Sequence, residues 1–112
     1  MYKHLSRFLT ENEIKNYSIG QHQGKCTSPF VIVSDEGENG ITGYSITYRE
    51  IDLILLYPLG KYSQLEDYIE KVKNVMTGYK RGKWTRRMSD VIIDNEKEAY
   101  VVALAYRVYK GL

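Results

Sequence analysis

The sequence predicts an α/β fold of the α+β type: a two-layer sandwich with a mostly antiparallel sheet of four to five strands and helices packed on one face. Two long stretches, 43–57 and 99–109, alternate residues with the period of a strand. Between them, residues 62–78 repeat apolar side chains at helical spacing. A helix that joins two long strands packs most simply on one face of the sheet that they form.

The length and composition fit one domain, 1–112. Eleven tyrosines suit either a half-buried sheet or a protein interface. Cys26 is the only cysteine, so one chain can form neither a disulfide nor a cysteine-based metal site. Arg7 and Glu11 interrupt the first apolar run, and no stretch reaches the roughly 20 apolar residues of a membrane span. We therefore expect no signal peptide and no membrane partner.

The N-terminal third predicts one helix and one short strand. Residues 2–16 place Leu5, Phe8 and Leu9 on one helical face. The glycines that follow indicate a loop or a short irregular strand. Residues 30–33, after a proline, are typical of a β-strand, and the acidic residues 35–40 predict a turn.

Residues 43–57 form the longest predicted strand. Its first half is half-buried in pattern and is expected to project beyond the core. From Ile51 the run is apolar on both faces, which predicts cover on both sides. Asp52 interrupts this apolar half, and we interpret it as a residue solvated at a strand edge rather than as a catalytic carboxylate.

Residues 62–78 predict a helix. Ser63 and Glu66 match a capping box at its start, and Gly78 is a natural residue just past its end. A short strand at 91–93, a turn at 94–98 and the strand 99–109 complete the chain. In that last strand, Ala103 and Ala105 form a small-residue face that is expected to let the helix approach closely.

The side chains give no basis for an enzyme. Only His4 and His22 are present, and neither belongs to a nucleophile, phosphate-loop, dinucleotide or zinc motif. A Cys26–His22 dyad would join two loop residues, which rarely reach the geometry of a nucleophile and its base. Residues 35–40 lack the ligand spacing of a calcium loop. We expect no catalytic residues, no cofactor and no metal.

The segment 79–87, YKRGKWTRR, carries the strongest local charge. Its five cations would contact phosphates, with Tyr79 and Trp84 stacking on bases, as in a small nucleic-acid-binding module. The net charge of the whole chain is only +2, and cations are favourable after a helix for local reasons. A protein-facing or solvated loop is therefore the preferred interpretation, and nucleic-acid contact is the alternative.

Three stretches resemble the small tail-completion or tail-terminator proteins of tailed bacteriophages, which also occur in phage-tail-like bacteriocins. They are GKCTSPFVIV, then YREIDLILLYPLGKYSQLEDYIEKVKNVM, then EAYVVALAYRVYK, within about residues 24–112. The Tyr57-Pro58 corner, YSQLE at 62–66 and Ala105-Tyr106-Arg107 carry it most strongly. Connector and head-completion proteins share the coarse pattern, so another minor structural role remains an alternative.

The resemblance implies a subunit of a homo-oligomeric ring, a hexamer, that caps a tail tube and meets the head-side connector or collar. Its partners would be copies of itself, the tube protein, and sheath, collar or connector proteins. Nucleic acid would at most pass through the ring. The protein would be assembled in the bacterial cytoplasm and reside in the virion or tail-like particle. The resemblance carries over no functional residue, and the basic segment departs from it.

Charge separation along the chain suggests which residues face a neighbouring copy. Residues 35–78 are mainly acidic and residues 79–112 mainly basic, a separation that a head-to-tail contact between copies can use. The candidate interface residues are Glu36, Glu38, Tyr44, Tyr48, Lys80, Arg81, Lys83, Trp84, Arg86 and Arg87.

Overall fold

The computed structural model describes residues 2–40 and 47–110. In chain order, the helices and strands are α1 (Tyr2–Glu11), β1 (Asn16–Ser18), β2 (Phe30–Gly40), β3 (Thr47–Pro58), α2 (Tyr62–Thr77), β4 (Gly82–Met88), β5 (Ile92–Asp94) and β6 (Ala99–Lys110).

The strands form one sheet in the order β1-β2-β3-β6-β4, with β5 also paired to β6. Every pair is antiparallel except β1–β2, which is parallel. The predicted α+β class with a mostly antiparallel sheet is confirmed. Six strands replace the expected four or five because the segment predicted as a loop forms β4, which precedes β5 along the same side of β6. Between them, the Ser89 N–H donates to the carbonyl of Ala103 at 2.9 Å and continues the pairing.

Both helices pack on one face of the sheet, which we call the helix face. Leu53 of β3 and Leu104 of β6 are register partners on this face, and both are fully buried. The core there also receives the apolar stripes of both helices. These stripes are Leu5 and Leu9 from α1, and Leu65, Ile69, Val72 and Met76 from α2. Burial of these large side chains is the main source of stability in the fold.

On the opposite face, which we call the open face, the described residues form a buried cluster at one end. There the loop before β2 brings Cys26 against Phe30, Leu56 and Ala99, and all four are buried. Ile54, further along β3, is only half-buried. Cover on both sides of the apolar half of β3 is therefore found at Leu56 and is incomplete at Ile54.

The expectation that α2 packs on the alanines of β6 is wrong. The helix packs on the large side chains of β6, including Val102 and Leu104. Ala103 and Ala105 alternate with them and lie on the open face, where they line a shallow groove. Large residues bury more apolar area against a helix than alanines do, so burial decides which face the helix covers.

The first helix is shorter than predicted, since it ends at Glu11 rather than at residue 16. The chain reverses at Glu13, which has a φ of 63°. The N–H of Ile14 donates back to the carbonyl of Leu9 at 2.9 Å, and the Ile14 side chain enters the core. Residues 16–18 then add β1 in parallel to β2. Ile14 thus continues the apolar spacing of the helix although it lies in a turn, which is why the sequence predicted a longer helix.

The acidic stretch 35–40 is part of β2, not a turn. Pairing with β3 continues from Ser34↔Asp52 to Gly40↔Thr47, with one extra residue accommodated as a bulge between Asp35 and Glu38. The Asp35 carboxylate accepts a hydrogen bond from Arg49 at 2.6 Å. The predicted start of the long strand at 43 lies outside the described residues.

Three further details differ from the prediction. The helix α2 begins at Tyr62 with Lys61 as its N-cap, and no side chain caps it, so the Ser63–Glu66 capping box is not formed. Gly78 follows the helix in a right-handed conformation, with a φ of −84°, and not in the left-handed one that glycine usually supplies. Asp52 lies on β3, in the middle of the sheet rather than at its edge.

The turn at 94–98 is found as predicted between β5 and β6. The carboxylate of Asp94 accepts hydrogen bonds from the backbone N–H groups of Glu96 and Lys97, at 3.0 and 3.2 Å. Glu98 completes the reversal with a φ of 51°. A short polar side chain that bonds to the backbone two or three residues ahead is a common way to fix such a turn.

Candidate interaction surface

The basic segment forms a strand, not a loop. Gly82–Met88 is β4, and its residues Lys83 and Trp84 pair with Arg107 and Tyr106 of β6. The chain reaches β6 through Tyr79, which is 3% exposed in the core, and the N–H of Tyr109 donates to the carbonyl of Arg81 at 2.8 Å. We call Gly82–Met88 the basic edge, because it carries three cations and ends the sheet on this side.

A bulge interrupts the basic edge between Trp84 and Met88. Arg86 has a φ of 66°, and the Thr85 hydroxyl donates to the carbonyl of Ala105 at 2.8 Å. The backbone N–H of Arg87 in turn donates to that hydroxyl at 3.2 Å. The bulge interrupts the regular pairing of this strand with β6.

On the helix face, the basic edge exposes two large side chains. Trp84 is 37% exposed and Met88 is 48% exposed. The ammonium of Lys73, from α2, lies 4.4 Å from the centre of the Trp84 ring, within the range of a cation–π contact. Ile92 and Ile93 are also exposed, so β4 and β5 together hold four large apolar residues that the described chain leaves exposed.

On the open face, the basic edge joins a charged cluster around Glu50. Arg87 and Arg107 approach the Glu50 carboxylate at 3.7 and 3.9 Å. The guanidinium of Arg107 lies 4.9 Å from the centre of the Tyr48 ring. Arg87, Arg107 and Tyr109 also line a shallow depression with Lys83. The two cations thus share one carboxylate, and the cluster has a net positive charge.

The structure brings some of the predicted interface residues together and separates others. Lys83, Trp84, Arg86 and Arg87 all lie on the basic edge. Tyr48 lies across β6 from that edge, with its ring 5.8 Å from that of Tyr109. The exposed Lys80 and Arg81 precede β4 in the connection from α2.

The acidic candidates lie in β2, which is separated from the basic edge by the two central strands of the sheet. Glu36 and Glu38 belong to β2, with Glu38 paired to Arg49 in register, and their side chains are outside the described set. Tyr44 lies outside the described residues altogether. The acidic and basic candidates are therefore separated by β3 and β6 and do not form one cluster within a chain.

The expectation that Tyr79 could stack on a nucleic-acid base is wrong. Its ring packs against Phe8 at 5.0 Å and His4 at 5.5 Å, and its hydroxyl shares a hydrogen bond with His4 at 3.0 Å. Burial raises the pKa of this phenol, against a smaller opposing effect of Arg81. Tyr79 is a core residue that anchors the start of the basic edge.

Cys26 and His22 each have a different partner, so the structure gives no support for a dyad. The Cys26 thiol donates to the carbonyl of Ser28 at 3.3 Å, and burial raises its pKa. His22 stacks on Phe30 at 4.2 Å, and its Nδ1 accepts a hydrogen bond from Lys97 at 2.9 Å. A protonated, buried thiol is a poor nucleophile.

A cleft of about 630 Å³ lies between the α1–β1 connection and α2. Tyr57 and Tyr68 form part of its wall, and the Tyr57 hydroxyl donates to Gln64 at 2.8 Å. The Tyr68 hydroxyl is buried without a hydrogen-bond partner, and burial raises its pKa. Besides the two tyrosines, the ionisable residues that line the cleft are two lysines and two acids, so their charges balance.

Sequence reasoning missed Glu50, Arg107 and Tyr109 as part of the surface. The signal was present: Arg107 and Tyr109 alternate with Val108, and so share the face of Ala103 and Ala105. Connecting them to Glu50 and the basic edge requires the register between β3, β6 and β4, which the alternation of a single strand does not provide.

Comparison with known proteins adds no family: no protein-family model matches the chain, and neither does any curated protein. Across residues 2–40 and 47–110, no three histidine, cysteine or acidic residues gather as a metal site would require. In the same residues, neither helix combines the length and the apolar character that crossing a membrane takes. The resemblance to tail-completion proteins therefore stays a prediction.

Proposed function

We propose that this protein is a structural subunit of a phage tail or phage-tail-like particle. Copies of the chain form a ring that ends the tail tube and meets the head-side connector or collar. The observation that carries the proposal is the basic edge, a terminal strand that combines three cations with exposed Trp84 and Met88. Function then depends on fitting against other protein surfaces rather than on chemistry within one chain.

A terminal strand of this composition suits a protein contact. An edge strand presents unpaired backbone N–H and C=O groups that another chain can pair with. Tryptophan, methionine and arginine are enriched at protein interfaces, and tryptophan and arginine dominate their energetic centres. Trp84 is held under Lys73 on the helix face, while Arg87 is held beside Glu50 on the open face. Both side chains are thus positioned before a partner arrives, which lowers the cost of binding.

The test of the proposal is assembly of the purified chain. Native mass spectrometry and negative-stain electron microscopy across a concentration series should show closed rings of one copy number. Trp84→Ala should weaken ring formation, because the side chain is exposed at the basic edge. Leu59→Ala is the matched control, since Leu59 is similarly exposed, at 40%, but lies in the turn between β3 and α2.

The outcomes separate clearly. Monomers at every concentration, both free and on mixing with isolated tail tubes, would overturn the proposal. If Trp84→Ala and Leu59→Ala affected ring formation equally, the proposed ring would stand, but the basic edge would not be part of the contact that forms it.

The alternative function is a module that binds single-stranded nucleic acid. One observation favours it: Lys83, Arg87 and Arg107 lie on the open face together with the rings of Tyr48 and Tyr109. Cations on a groove with aromatic rings are typical of single-strand binding. That function predicts retardation of single-stranded DNA with a steep salt dependence, lost in Lys83→Gln/Arg87→Gln. No retardation at low salt would exclude it.

A further inference from the structure

We infer that neighbouring copies join by strand pairing between two edges of opposite charge, so that the sheet of one copy continues into the next. This inference rests on the proposed function and specifies its contact. One side of the contact is the basic edge, Gly82–Met88. The other is residues 34–40 of β2, on the far side of the sheet, which we call the acidic edge.

Within the described chain, β1 is too short to reach the acidic edge of β2. Three residues of β1 pair with Val31, Ile32 and Val33 only. From Ser34 to Gly40, β2 pairs with β3 on one side, and no other strand in the described chain pairs with its outer side. Residues 34–40 contain three acids and no lysine or arginine, whereas Gly82–Met88 contains three cations and no acid.

The two edges lie at the same level of the sheet. Asp35 pairs with Ile51, Ile51 with Tyr106, and Tyr106 with Trp84. A second row, three residues further along β2, likewise crosses all four strands. It runs from Glu38 through Arg49 and Val108 to Gly82. Side-by-side copies at equal height therefore bring the acidic edge of one against the basic edge of the next without a shift along the strands.

The strand directions also match. The pairs β2–β3, β3–β6 and β6–β4 are all antiparallel, so β2 and β4 of one chain run in opposite directions. When copies are related by rotation about an axis along the strands, β4 of one copy and β2 of the next are antiparallel. Antiparallel pairing is the more stable arrangement and extends the existing sheet.

Charge selects this contact over self-pairing of either edge. Two basic edges side by side would bring six cations together. Two acidic edges would bring six acids together, of which the Asp35 carboxylate of each copy is already paired with Arg49. Like charges opposite each other in a strand pair are destabilising, and opposite charges are favourable. The contact is therefore heterologous, and such contacts close into a ring when the rotation between copies permits.

Complementary charge variants test the inference. Chain one carries Lys83→Glu/Arg87→Glu, so both of its edges are acidic; chain two carries Glu36→Lys/Glu38→Lys, so both are basic. Two reversals in a strand pair should weaken association of each variant alone by on the order of tenfold or more. An equimolar mixture should recover assembly with alternating chains. Native mass spectrometry distinguishes the two masses and shows whether they alternate.

A matched control separates edge charge from net charge. Lys61→Glu/Lys71→Glu makes the same charge change as the first variant at two exposed positions away from both edges. It should leave association close to that of the unchanged chain. If the unchanged chain forms rings and the mixture of variants does not, or if the control weakens assembly as much, the strand-edge contact is wrong while ring formation stands. If the unchanged chain never assembles, the proposed function fails as well.

Hydrogen exchange distinguishes strand pairing from a contact through side chains alone. Backbone amides within 34–40 and Gly82–Met88 should become protected in rings of the unchanged chain and stay unprotected in the monomeric first variant at the same pH. The central pairing of β3 with β6 should be equally protected in both. Rings without added protection at either edge would overturn the pairing of strands.

Discussion

Leu53 and Ile54 are neighbours in β3, yet they face different surroundings. Leu53 points to the helix face and is fully buried among both helices. Ile54 points to the open face and is only half-buried. Similar apolar residues, one position apart, therefore do different work, because alternate residues of a strand belong to opposite surfaces.

The same division runs along β6. Leu104 and Tyr106 pack under α2, while Ala105 and Arg107 face the open side beside Asp52 and Glu50. Stability is concentrated on one face of the central strands, and charge and small side chains are concentrated on the other. Because Glu50 and Arg107 lie outside the core, we expect substitutions on this surface to alter binding more than they alter stability.

The largest expected effect tests this division directly. Leu53→Ala should destabilise the protein by about 2–5 kcal/mol, because it leaves a cavity between the sheet and the helices. Ile54→Ala should cost about 1 kcal/mol, since part of that side chain is already in solvent. Denaturant unfolding, followed by far-ultraviolet circular dichroism, measures both free energies. Equal costs would show that the open face contributes to the core as much as the helix face does.

The fold was largely readable from the sequence where periodicity was strong. The apolar stripe of α2 continues over more than three helical turns, and the alternation of β6 continues along the whole strand. Both patterns therefore identify the buried residues without ambiguity. The basic edge was predicted as a loop, and the region of β1 was left open between a loop and a short irregular strand. Both contain few apolar residues and owe their strand conformation to pairing with β6 and β2. Acidic residues 35–40 resembled a turn for the same reason.

The candidate surface was predictable only in part. Lys83, Trp84 and Arg87 stand out by composition, and the structure places them on one strand. That Trp84 faces the helices and Arg87 the open side depends on the register with β6. Glu50 joins them through cross-strand neighbours 37 and 57 residues away in sequence (87−50 and 107−50), which no local pattern contains.

Alkaline pH should destabilise the helix face in particular, because the buried Tyr106 lies on it. Burial raises the pKa of Tyr106 to about 12, from an ordinary value of 10.0. The folded state therefore keeps a proton that the unfolded chain releases, and stability falls as pH rises above 10. The loss should be on the order of 2 kcal/mol by pH 12. Tyr106→Phe should remove this part of the pH dependence, measured by denaturant unfolding between pH 9 and pH 12.

A methyl group at Gly82 should disturb the junction between the helix face and the basic edge. A Cβ there would lie 2.8 Å from a ring carbon of Tyr79, a side chain held in the core. Gly82→Ala should therefore cost about 1–3 kcal/mol through overpacking. Gly78→Ala is the matched control, because its Cβ would meet its nearest neighbour at 3.4 Å and its φ is −84°. It should be neutral or slightly stabilising.

Thermal unfolding of the two glycine variants checks this difference. If Gly78→Ala were the more damaging change, Tyr79 would not be held as firmly as its burial indicates. A further loss of ring assembly in Gly82→Ala, beyond its loss of stability, would place the start of the basic edge in the contact between copies.

The smallest effect concerns the covered end of the open face, where His22 stacks on Phe30. Burial lowers the pKa of His22 first, and the nearby Lys97 and Lys15 lower it further. Below the ordinary value of 6.5, the unfolded chain binds the proton and the folded state resists it. The contribution of His22 to the free energy of unfolding is therefore fully present above pH 6.5 and is lost as the pH falls toward the lowered pKa.

Lys97 provides the sharper test, because its ammonium donates to Nδ1 of His22 at 2.9 Å and needs that nitrogen unprotonated. Lys97→Met should raise the pKa of His22 toward its ordinary value, as followed by proton NMR of the imidazole. Lys25→Met is the matched control, since Lys25 pairs with Glu98 at 3.1 Å instead. A larger shift in the Lys25 variant would mean that general surface charge, not the hydrogen bond at the open face, sets the protonation of His22.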